Sequence, residues 1–140
     1  MTRIRQVVFL FALAIITPLA GQHQATAQTW KKHIVHEGEH CNTAVAGDFT
    51  GDGRPDIIST SGGKSRLFVA PDWKEFVIDD TGGHNFIHSE MFDVDRDGDL
   101  DYIGARYQPG LVGWFENPAK PTAGLWKFRV ADQQINGIHG

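Results

Sequence analysis

Asp93-Val94-Asp95-Arg96-Asp97-Gly98-Asp99-Leu100-Asp101 sets a carboxylate at every odd position of a nine-residue loop, with glycine at the sixth. An earlier stretch, Asp48-Phe49-Thr50-Gly51-Asp52-Gly53-Arg54-Pro55-Asp56, keeps the same frame 45 residues upstream. Both carry side-chain oxygens at the first, third, fifth and ninth positions. That spacing suits a hard cation such as Ca2+, which gathers several oxygens at roughly 2.3–2.6 Å. The glycine permits the tight turn that lets alternate side chains converge. A loop repeated at this interval also signals a repeat architecture.

In the second loop the expected ligands are the side chains of Asp93, Asp95, Asp97 and Asp101, with the carbonyl of Asp99. The first loop offers Asp48, Asp52 and Asp56, the Thr50 hydroxyl and the carbonyl of Arg54. It has fewer acids and a cationic neighbour, so its affinity is expected to be lower, because charge count tunes calcium binding. Neither loop is an EF-hand. The twelfth position is Ser59 in one and Gly104 in the other, where a bidentate Glu would stand. Mg2+ suits these loops less, since it demands tighter octahedral geometry. The plain alternative is an Asp-Gly hairpin turn with solvated acids. One structural Ca2+ per loop, pinning the strands on either side, is the expectation.

The rest of the chain reads as all-β. Short β-branched and aromatic runs alternate with Gly, Pro and Asp clusters, and no segment carries a helical period. Strands are expected at 43–47, 56–60, 65–69 and 74–78, then at 88–92, 101–106, 111–115 and 126–130. Each acidic loop joins the first strand of a unit to its second. Trp126, Phe128 and Val130 alternate with Lys127 and Arg129, the pattern of a half-buried strand. Trp73-Lys74-Glu75-Phe76-Val77-Ile78 is its counterpart. Trp30-Lys31-Lys32-His33-Ile34-Val35 reads as a third copy with no unit of its own. Ile138-His139 repeats Ile87-His88, as though a further acidic loop should follow.

The segments Ala46–Ile58 and Phe92–Ile103 resemble the VCBS/FG-GAP repeat family, and Val112-Gly113-Trp114-Phe115-Glu116-Asn117 resembles the aromatic third strand of its blades. Thr50 departs from the pattern, standing where Asp or Asn is usual. The resemblance implies four-stranded β-propeller blades related to the integrin α-subunit head, about two of them here. Two blades cannot close a ring, and repeat proteins need several units to bury a continuous core. The expected organisation is therefore an incomplete propeller over 28–140, with the Trp30 strand as a closing strand.

Residues 1–27 have the layout of a secretory signal peptide. Thr2-Arg3-Ile4-Arg5 is basic, Val7 to Ile16 is unbroken apolar sequence, and Ala25-Thr26-Ala27 offers a cleavage site. The apolar run is short against the roughly 20 residues of a spanning helix. Cleavage would leave 11 basic against 17 acidic residues, a net charge of −6. That argues against a nucleic-acid partner, which favours a basic face. An extracytoplasmic location follows: secreted, periplasmic or at the cell surface, with no integral membrane segment after cleavage.

Outside the loops the signals are weaker. Cys41 is the single cysteine, so no intrachain disulfide can form, and a small half-buried residue is expected there. His33, His36, His40, His84, His88 and His139 fall in no strong ligand motif. Phe68, Tyr107, Trp114 and Phe115 suit a blade core or a sugar-stacking surface. Two functions remain open. One is a non-catalytic, calcium-stabilised module for binding or adhesion, with a carbohydrate or protein ligand. The other, which the resemblance allows, is part of a carbohydrate-active propeller enzyme of lyase or dehydratase type. Clustering of His40, His84 and His88 would favour the enzyme.

Overall fold

The computed structural model describes residues 29–135, 137 and 138. Eight strands form where the β-branched and aromatic runs lie: β1 (Cys41–Gly47), β2 (Asp56–Ser61), β3 (Lys64–Val69), β4 (Lys74–Asp79), β5 (His88–Phe92), β6 (Asp101–Arg106), β7 (Leu111–Glu116) and β8 (Lys127–Asp132). They build two antiparallel sheets, β1-β2-β3-β4 and β5-β6-β7-β8, and no helix occurs among the described residues. These are two propeller-like blades that do not close a ring. The expected strand positions hold to within two residues at each end.

The division of labour between faces follows from the pleat. On the first sheet the row Val45, Ile58, Leu67 and Phe76 is in register across all four strands. On the second the row Met91, Tyr102, Phe115 and Phe128 is likewise in register. Ile58, Leu67 and Ile78 from the first sheet meet Tyr102 and Phe115 from the second, with Phe49, Phe86 and Trp126 sealing the core between them. Burying a side chain of this size stabilises by about 1.5–3 kcal/mol. Polar stitches cross the same seam: Thr60 and Tyr102 hydroxyls at 2.8 Å, Thr43 and Ser89 hydroxyls at 2.8 Å, and Asn42 Nδ2 donating to Asn85 Oδ1 at 2.6 Å. Gly104 is required on the second sheet, because a Cβ there would stand 2.1 Å from the Phe86 ring.

Three expectations are corrected. The tryptophans do not open the last strands. Trp126 precedes β8 because its backbone N–H donates to Ile78 O on the first sheet at 2.8 Å, and its buried indole joins the core. Trp73 precedes β4 in a left-handed turn, with φ of 55°, half-buried. Residues 29–40 form no strand. A strand needs a neighbour's backbone to pair with, and residues 33–40 lie over a face of the first sheet, against Phe68 and Arg66. Cys41 is exposed, its thiol reaching only to Thr43 O.

The chain divides into two units, Met1–Lys32 and His33–Gly140. Of the first, residues 29–32 are described; they are exposed and irregular. The expected signal peptide lies outside the described residues, as does His139. Within the second unit, residues 33–40 run over the face of the first sheet that looks away from the second. His33 Nδ1 accepts from Trp73 Nε1 at 3.3 Å, the His36 ring lies 5.6 Å from that of Phe68, and Glu39 reaches Arg66 at 2.8 Å. Phe68 and Arg66 are thereby buried. His33 and His36 both face this sheet.

Candidate metal centre

Both acidic loops leave the first strand of a sheet and return as the second, so their geometry is fixed by ladder pairs at the base. Gly47 pairs with Asp56, and Phe92 with Asp101. In each loop the carboxylate at the first position accepts two backbone N–H groups. Asp48 accepts from Asp52 and Gly53 at 3.0 and 2.9 Å, and Asp93 accepts from Asp97 and Gly98 at 3.1 and 3.2 Å. The fourth position is left-handed in both. Gly51 takes it at φ of 70° and Arg96 at 67°. The ninth position is buried and ties the loop to the neighbouring strand. Asp56 accepts from Thr50 N and Ala70 N at 3.1 and 3.0 Å, and Asp101 from Val94 N and Asn117 N at 2.9 Å each.

The loops part at the remaining positions. In the first, the Arg54 guanidinium folds onto Asp52, with Nη2 donating to Oδ2 at 2.6 Å. That hydrogen bond holds the Asp52 carboxyl below its ordinary value. The Thr50 hydroxyl donates to Asp56 Oδ2 at 2.9 Å. The acids of this loop are therefore partnered within it.

In the second loop the seventh position is Asp99. Its carboxyl lies among Asp95, Asp97 and Asp101, and its Oδ1 is buried with no hydrogen-bond partner. Burial first, and then the charges of Asp97, Asp101 and Asp95, push its pKa up to about 6. Asp101 is also raised, chiefly by burial, against the opposing pull of the Asn117 and Val94 N–H groups. Asp93, Asp95 and Asp101 each bring an oxygen within 4.8 Å of the others, and no second group of this kind occurs among the described residues. Asp97 Oδ1 accepts from Asp99 N at 3.2 Å. Hard oxygen donors, uncompensated negative charge and an orphaned buried oxygen fit a divalent cation at the second loop. Asp48, Asp52 and Asp56 are not brought together in that way.

Sequence reasoning missed Asn117. Buried just beyond β7, its Nδ2 donates to Phe49 O in the first loop at 2.8 Å and to Leu100 O in the second at 3.0 Å. Its Oδ1 has no partner. The signal was an Asn followed by Pro118 at a strand end, where a side-chain amide can serve loop carbonyls. Among the described residues the histidines join no group with metal-ligand spacing. His84 stacks on Phe128 at 3.7 Å and faces Asp79 at 3.2 Å, His88 is exposed beside Glu90, and His40 is exposed. Phe68 and Phe115 are core residues, Trp114 is half-buried and Tyr107 exposed.

No curated protein and no solved structure matches the chain significantly. A family model does: the FG-GAP-like repeat matches residues 48–104, which takes in both acidic loops and the strands between them. The segment that carries the paired loops thus matches an FG-GAP-like repeat, and the two four-stranded sheets are consistent with two propeller-like blades.

Proposed function

We propose that this chain is an exported, calcium-stabilised repeat module that serves in binding or adhesion, with a carbohydrate or protein as ligand. The observation that carries the calcium reading is the second loop, where Asp93, Asp95 and Asp101 converge and the half-buried Asp99 sits among like charges with its Oδ1 unpartnered. A bound Ca2+ would supply the positive charge that Arg96 alone cannot. Asp93, Asp95, Asp97 and Asp101 would hold it. Asp101, fixed by Asn117 N and Val94 N, would pass that constraint to β7 and to the loop's own start. The first loop takes a second, weaker ion through Asp48, Asp52 and Asp56, after Arg54 swings aside. Export rests on the basic start, the apolar run and the small residues before Gln28. The separate surroundings of His40, His84 and His88 support a binding module over an enzyme.

The test is thermal melting of the full chain with calcium and with a chelator, alongside terbium luminescence or calorimetric titration. Calcium at about a hundredfold over Kd stabilises by about 2.7 kcal/mol. An unchanged melt, with no metal recovered by elemental analysis, overturns the proposal. Tighter binding at the first loop overturns the ranking.

A further inference from the structure

The seam between the two sheets is an unequal pair of faces, and each face has a counterpart elsewhere in the molecule. The first sheet contributes the row Val45, Ile58, Leu67 and Phe76. Its counterpart on the second sheet is the row Glu90, Ile103, Trp114 and Arg129, on the side facing away from the seam. The second sheet contributes Met91, Tyr102, Phe115 and Phe128, whose counterpart on the first sheet is Ala46, Ile57, Phe68 and Glu75. By this equivalence residues 33–40 lie where a neighbouring sheet would pack.

Their hold combines ring contacts, His33 with Trp73 and His36 with Phe68, with ion pairs. Glu39 pairs with Arg66 at 2.8 Å, and His36 approaches Glu75 at 3.8 Å. His36 Nε2 is buried without a hydrogen-bond partner and lies 3.6 Å from Glu39 Oε2. On the outer side of the second sheet, Ile103, Ala105, Val112 and Ile138 line an apolar hollow, and the buried Trp114 Nε1 also has no partner.

We propose that residues 33–40 are a displaceable strap, and that its release lets a second copy of this chain dock head to tail. The Glu90–Ile103–Trp114–Arg129 row of one copy would lie on the Ala46–Ile57–Phe68–Glu75 row of the next. Continuity of the seam selects a second copy. The contact continues an interface the chain already makes, with Ile103 and Trp114 taking the parts of Ile58 and Leu67. Where Phe76 and Phe128 border the internal core, the new seam would set Arg129, paired with Glu116 at 2.6 Å, near Glu75, paired with Arg66 at 3.1 Å. Released Arg66 keeps Glu75 and Ser61 as partners. A head-to-tail contact is heterologous and can propagate, so the strap limits assembly.

Analytical ultracentrifugation of the full chain at fixed calcium tests this. Wild type is expected to stay monomeric. The strap variant H36A/E39A is expected to raise the weight-average mass roughly twofold or more with concentration, as open-ended association requires. Adding W114E to that variant is expected to restore the monomer. Should H36A/E39A fail to fold by circular dichroism, W73F loosens the strap at its other end by removing the bond to His33. A folded strap variant that remains monomeric overturns the proposal. So does a wild type that associates as far as the variant, or association that W114E leaves intact.

Discussion

The loops at 48–56 and 93–101 share a backbone path and differ in how their charge is balanced. The first is closed by its own residues: Arg54 clasps Asp52, and the Thr50 hydroxyl serves Asp56. The second has Asp99 where the first has Arg54, and Asp95 where the first has Thr50. Its carboxylates face one another, and one buried oxygen is left unpartnered. An acidic frame therefore does not by itself leave charge unanswered. The seventh position decides whether the loop answers its own charge or needs an external one.

The largest effect is expected at the residue the two loops share. Asn117→Ala leaves the carbonyls of Phe49 and Leu100 without the donor they have now, and orphaned buried groups cost about 1–3 kcal/mol each. A drop of about 2–4 kcal/mol in urea unfolding, with weaker metal binding at the second loop, is the expected result. A change within error would show that the loops are independent.

The next prediction converts one loop into the other. The double substitution Thr50→Asp with Arg54→Asp gives the first loop the carboxylate pattern of the second. Its calcium affinity should rise about tenfold or more, equivalent to about 1.4 kcal/mol. Calorimetry should then show two similar sites. If affinity stays low, position seven does not control the loop.

A smaller effect separates the two fourth positions. Gly51 is at ease with positive φ, whereas Arg96 carries a Cβ into the left-handed region. Arg96→Gly is expected to stabilise by about 0.5–1 kcal/mol by relieving that strain. A destabilised variant would mean that the Arg96 charge outweighs the backbone term.

The smallest effect concerns acid. Arg54 depresses the pKa of Asp52, so this pair's contribution is fully present above the ordinary carboxylate range. It is lost as pH falls through the lowered value. Both groups are solvent-exposed, so screening keeps the effect small. Arg54→Gln should make the acid limb of Tm against pH slightly shallower. An unchanged limb would show that the clasp is not populated in solution.

Much of the fold was legible because alternation and turn chemistry are local. The runs Asp101–Arg106 and Leu111–Phe115, bounded by Gly98 and Pro109-Gly110, read as strands without reference to anything distant. Trp30–Val35 misled because it has the same local pattern, while pairing depends on a neighbour that no local pattern supplies. Trp126 was placed in β8 for the same reason. Its backbone bond to Ile78 links residues far apart in sequence. At the site, the shared loop frame could be read from spacing alone. The unequal fate of the loops could be ranked by charge, but the Arg54–Asp52 clasp and the Asn117 bridge are three-dimensional facts.

A single amide that grips one carbonyl in each loop also makes the two loops thermodynamically conversant. Whatever free energy an ion at 93–101 lends to the ordering of 48–56 must be returned when the order of filling is reversed. Calcium uptake should then be cooperative in the wild type, with a curve steeper than two unlinked sites would give, and Asn117→Ala should flatten it.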